Sequence, residues 1–90
     1  MDGMYEQNQM PHNNEAEQSV LGAIIIDPQL IGETQGVLLP ESFYRGAHQH
    51  IFRAMMHLSE ENSDIDVVTL MDQLTSEGTL SEAGGPQYLA

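Results

Sequence analysis

The chain of 90 residues is long enough for one small domain, and the absence of cysteine excludes a disulfide framework and a thiolate metal site. Fourteen acidic residues stand against Arg45 and Arg53, with no lysine, for a formal charge of −12. That balance repels phosphate backbones and excludes direct binding to DNA or RNA, and without lysine a phosphate loop of the form G-x-x-x-x-G-K-[ST] cannot be built.

Residues 1–13 carry Gln, Asn, Gly and Met without apolar periodicity, which predicts a flexible lead-in before a globular unit over 14–90. Asn14 followed by Glu17 has the spacing of a capping box and predicts a helix over about 14–26, with Glu15 and Glu17 at the positive end of its dipole. Val20 to Ile26 contains no polar side chain, so apolar groups point to several sides and the helix is expected to be the central buried one. Ala16, Val20, Ala23 and Ile24 form one stripe, Leu21 and Ile25 a second. The apolar run is too short to span a bilayer and follows acidic rather than basic residues, so neither a membrane span nor a signal peptide is expected, and the compartment is the cytoplasm.

Asp27-Pro28 closes this helix and opens a second, from Pro28 to about Leu38, with Leu30, Ile31, Thr34, Val37 and Leu38 at helical spacing. Gly32 and Gly36 lie inside it at a cost of about 1 kcal/mol each, which makes it the least stable element. Leu39-Pro40 breaks the direction, and Glu41 to Gly46 reads as a turn that carries Phe43 and Tyr44 into the core. Ile51, Phe52, Met55, Met56 and Leu58 predict a third helix over about Ala47 to Glu60, with His50, Arg53 and His57 on its other face. Beyond the polar loop 60–64, Asp66 caps a fourth helix striped by Val67, Leu70, Met71 and Leu74, and Gly78 supplies its left-handed end. Ser81 to Ala83 makes one helical turn, Gly84-Gly85 a bend, and Pro86 the first position of a last helix through Tyr88 and Leu89. No strand pattern competes, so the fold class is all-α, with about four to six helices.

Side chains with chemical potential do not converge. His48 and His50 diverge on a helix and His50 and His57 are two turns apart, so a solvated helix face explains the histidines better than a metal site. Asp64-x-Asp66 opens like a calcium loop, but Val68, Thr69 and Thr75 occupy the places of its remaining oxygen ligand, its glycine and its glutamate. The pairs Glu15 with Glu17 and Glu60 with Glu61 are explained by capping and solvation, and Met55, Met56 and Met71 by core filling. Tyr88, after the Gly-Gly-Pro bend, fits an inward-packed position and an interface anchor equally well.

Asn14-Glu15-Ala16-Glu17-Gln18-Ser19-Val20-Leu21-Gly22, Asp27-Pro28, Phe43-Tyr44-Arg45, Ala47-His48, Ile51-Phe52, Ile65-Asp66-Val67-Val68-Thr69-Leu70 and Gly84-Gly85-x-x-Tyr88-Leu89 occur in that order. Together they resemble the N-terminal domain of the bacterial hexameric replicative DNA helicases, the DnaB family, from about Pro11 to Ala90; Gly46 stands where that family often has proline. The resemblance implies a compact multihelical head whose helical hairpin, linker and RecA-like motor, with its ATP and Mg2+, lie outside this sequence. It implies no catalytic, cofactor-binding or metal-binding residue in this chain. It further implies a collar element that pairs with other helicase subunits in the hexameric ring and docks the C-terminal helicase-binding domain of primase, without touching nucleic acid or membrane itself. Glu15, at an exposed first turn, and Tyr88, at the margin of the head, are the candidate partner-binding residues. A stand-alone acidic regulator or DNA mimic fits the charge as well; an enzyme built on His48, His50 and His57 fits less.

Overall fold

The computed structural model describes residues 13–89, and among these residues all regular structure is helical. Five α-helices follow one another: α1 (Asn14–Ile26), α2 (Leu30–Gln35), α3 (Gly46–Glu60), α4 (Val67–Glu77) and α5 (Gly85–Leu89), with a 3-10 turn at Pro40–Ser42 between α2 and α3. The all-α class and the number of helices are as the sequence predicts. The predicted lead-in lies outside the described residues except for Asn13.

The start of α1 differs from the expected capping box. Asn13, one residue upstream, is the cap, and its side-chain oxygen accepts from the N–H of Ala16 at 2.9 Å. Glu17 is therefore free of a capping role and reaches across to the segment that enters α3.

The central helix is α3, not α1. Six α3 residues, His48, Ile51, Phe52, Ala54, Met55 and Leu58, are buried, against Leu21 and Ile24 on α1. α3 packs on α1, α2, the 3-10 turn and α4, whereas α1 packs on α2 and α3. Ala16 and Ala23 of the expected stripe are exposed, and Ile26 is 85% exposed. A wholly apolar run says that several faces can be buried; the 3.6-residue period of α3 says which face must be.

α2 is shorter than expected. Asp27 to Gln29 form a turn closed by the N–H groups of Leu30 and Ile31 on the carbonyls of Asp27 and Pro28, and the helix ends at Gly36, leaving Val37 80% exposed. Gly32 inside the helix and Gly36 at its end weaken its propagation, because glycine loses more conformational entropy in a helix than other residues. Of the two aromatics predicted to enter the core, Phe43 does so, with its ring centroid 5.2 Å from that of Phe52, and Tyr44 is 62% exposed. The backbone at Phe43 and Arg45 is extended, and neighbouring side chains on extended backbone face opposite ways.

α4 follows its sequence signals. Asp66 and Thr69 satisfy each other's backbone N–H groups, and Leu70 and Leu74 are fully buried. Gly78 has φ 75°, with Gly78 N–H on Thr75 and Thr79 N–H on Leu74, the paired bonds of a Schellman end. At the following bend, Gly84 has φ 104° and a Cβ there would lie 2.6 Å from Cβ of Tyr88, so glycine at 84 makes room for the tyrosine on α5.

Candidate functional site

Three segments distant in sequence meet at His48. Its position follows from the α3 pattern, since residues 48, 51, 52 and 55 lie on one helical face, and the imidazole is fully buried. This corrects the expectation of a solvated histidine face; the period that selects Ile51 and Phe52 also selects His48. Nδ1 lies 2.6 Å from Glu17 Oε1 on α1, and Nε2 lies 2.5 Å from the Tyr88 hydroxyl on α5. The His48 and Tyr88 rings stack with centroids 5.7 Å apart, while the Phe43 ring approaches His48 edge-on.

The outer ends of this chain of contacts are also bonded. Glu17 Oε2 accepts from the N–H of Tyr44 at 2.7 Å and Oε1 from the N–H of Arg45 at 3.5 Å, so the carboxylate fastens the start of α3 to α1. Gln18 Nε2 donates to the Tyr88 hydroxyl at 3.0 Å and fastens α5 to the same helix. The polar groups of the cluster thus satisfy one another, as buried groups must if they are not to destabilise the fold. Beside it, a cleft of about 440 Å³ is lined chiefly by Leu21, Ile25, Ile51, Val67 and Leu89, with Gln18, His48 and Tyr88 at its polar end.

Burial pushes the Glu17 carboxyl up, but hydrogen bonds from His48 and from the N–H groups of Tyr44 and Arg45, with the His48 charge, outweigh it and leave the group below the ordinary 4.5. A carboxyl depressed in the folded state contributes stability that is present above its unfolded value and is lost as pH falls through the folded one. Denaturant titrations at a series of pH values are therefore expected to show stability falling below about pH 4.5, with a shallower fall in Glu17→Gln. Equal slopes for the two proteins would show that Glu17 is not held in this way.

The remaining candidates fall elsewhere. His57, half-exposed, bonds Glu77 at 2.5 Å, and Glu77 also accepts from Gln73; desolvation raises that carboxyl, and the bonds from Gln73 and His57 lower it further than burial raises it. His50 is half-buried on α3. Among the described residues no three His, Asp or Glu side chains are grouped so as to hold a metal ion, and no helix is long and apolar enough to cross a membrane. Of the two candidate partner residues, Glu15 is exposed on the first turn of α1. Tyr88 is half-buried, with its hydroxyl bonded to buried His48 and to exposed Gln18, so it holds α5 in place as well as lining the cleft. Gln18, which bonds the Tyr88 hydroxyl, lies three residues after Glu15 and so on the same side of α1.

The family model described as the DnaB-like helicase N-terminal domain matches residues 9–90. The chain is 39% identical over 90 residues to the replicative DNA helicase DnaB of Geobacillus stearothermophilus, all of this chain and 20% of that protein. It is 43% identical over 79 residues to the replicative DNA helicase DnaC of Bacillus subtilis, 88% of this chain and 17% of the relative. The chain thus spans about a fifth of the length of these relatives. Its structure is similar to the N-terminal domain of DnaB helicase from Mycobacterium tuberculosis, with a TM-score of 0.82 and 37% identity over 90% of this chain and 56% of that one.

Proposed function

The chain belongs to the DnaB-like helicase N-terminal domain family, and from that premise we propose that it is the non-catalytic docking and assembly head of a hexameric, ATP-dependent replicative DNA helicase. In this role it contributes to the ring with other helicase subunits and recruits primase, through the primase C-terminal helicase-binding domain, to the replication fork in the cytoplasm. ATP and Mg2+ belong to the motor of the whole protein, which needs a lysine that this chain lacks. The observation that carries the reading is the family match along residues 9–90 in a chain of charge −12, whose acidic surface suits a protein partner and repels a phosphate backbone. Holding primase beside the unwinding strands raises its local concentration there, and tethering alone accomplishes this without any catalytic group.

Glu15 and Tyr88 are the proposed contact residues, Glu15 as an exposed charge and Tyr88 as an aromatic at the cleft edge. The cleaner test is Glu15→Ala, because loss of a first-turn carboxylate costs the helix only about 0.3 to 1 kcal/mol. Calorimetric titration with the primase helicase-binding domain is expected to show weaker binding by Glu15→Ala with a melting temperature close to wild type. Wild-type affinity in that variant would remove Glu15 from the docking face.

A further inference from the structure

Tyr88 has one hydroxyl proton and two polar neighbours. Gln18 donates to its oxygen at 3.0 Å, so the tyrosyl proton points the other way, at His48 Nε2, 2.5 Å distant. Nε2 is then an acceptor, the single proton of a neutral ring sits on Nδ1, and Nδ1–H donates to Glu17 Oε1 at 2.6 Å. This neutral tautomer satisfies all three contacts; the other would leave Nδ1 facing the Glu17 carboxylate without a proton between them.

Proton uptake changes this order in one place. A proton added from solvent goes to Nε2, which becomes a donor to the Tyr88 oxygen, while Nδ1–H stays on Glu17 and the contact becomes an ion pair. The Tyr88 oxygen has two lone pairs and accepts from both Gln18 and His48, so its own O–H must rotate about the Cζ–O bond, out of the line to Nε2. Tyr88 lines the cleft together with Gln18 and His48, so the cleft is the space next to the displaced proton. Glu17 from α1 and Tyr88 from α5 are the titratable groups bonded to the ring; Arg45 meets Glu17 through its backbone N–H, and the edge of Phe43 covers the remaining side.

We propose that His48 is a proton-operated positioning residue for Tyr88: neutral His48 holds the tyrosyl proton inside the fold, and protonated His48 turns it outward, making Tyr88 a hydrogen-bond donor at the cleft. That the cleft edge meets a partner rests on the docking reading above; the reorientation itself does not.

Side-chain NMR of the 90-residue chain tests it directly, with 15N-labelled imidazoles and 13C-labelled tyrosine and phenylalanine rings followed on acidification from about pH 8 to about pH 5. At the upper end the His48 nitrogens are expected to report protonated Nδ1 and unprotonated Nε2. On acidification the Cζ and Cε signals of Tyr88 are expected to shift together with His48, with one common midpoint. In Tyr88→Phe the ring at that position is expected to lose the response. An Nε2–H tautomer at the upper end would overturn the proposal. So would a Tyr88 ring that fails to follow His48, or an equal response from the ring that lacks the hydroxyl in Tyr88→Phe. If the common titration is seen and primase does not bind, the switch stands and the docking reading falls.

Discussion

Replacing Phe52 with alanine is expected to cost about 3 to 5 kcal/mol, the range for deleting a buried aromatic ring. Phe52 is fully buried at the middle of α3, and its ring lies against Phe43 from the segment that also carries the Glu17 contacts. Because α3 packs on α1, α2, the 3-10 turn and α4, a cavity in its buried face weakens the helix that joins them. A domain of this size has about 5 to 15 kcal/mol of stability in total, so Phe52→Ala should leave a large unfolded fraction at moderate temperature. Urea titration followed by circular dichroism measures it; a loss under about 1 kcal/mol would mean that α3 is not the centre of the fold.

Ile24→Ala should be almost as damaging, at about 2 to 5 kcal/mol. Ile24 is 1% exposed and is one of two buried residues through which α1 is held to the core. Two positions further on, Ile26 is 85% exposed, so Ile26→Ala removes a side chain of the same size from the same apolar run and should change stability by less than about 0.5 kcal/mol. Equal losses at the two positions, read from the same denaturant titrations, would show that α1 buries its whole apolar run rather than one face.

That contrast marks what the sequence makes legible. Local signals are reliable where one residue type has one physical use: Asp66 as the cap of α4, Gly78 with φ 75°, and the glycine bend at the start of α5 stand where the sequence puts them. The period of α3 locates its buried face, and the resemblance carried by the dispersed motifs agrees with the family match. Signals that depend on a distant partner are misread. Glu17 has the spacing of a capping residue, and only the tertiary fold shows that its carboxylate faces Tyr44, Arg45 and His48, 27 to 31 positions away. His48 is legible in part, because it shares the face of Ile51 and Phe52, but a histidine enters a core only when both ring nitrogens find partners, and Tyr88 lies 40 residues downstream. The apolar run of α1 misleads for a related reason, since composition alone does not say that, among the described residues, no element covers Ala23 and Ile26.

The most direct measurement of the docking role is a pair of titrations of the isolated chain at physiological salt, one with the primase helicase-binding domain by calorimetry and one with fluorescent single-stranded DNA by anisotropy. A docking head with charge −12 gives saturable binding to the primase domain and no change in DNA anisotropy at micromolar chain. DNA binding that weakens with added salt, together with no heat from the primase domain, would contradict it.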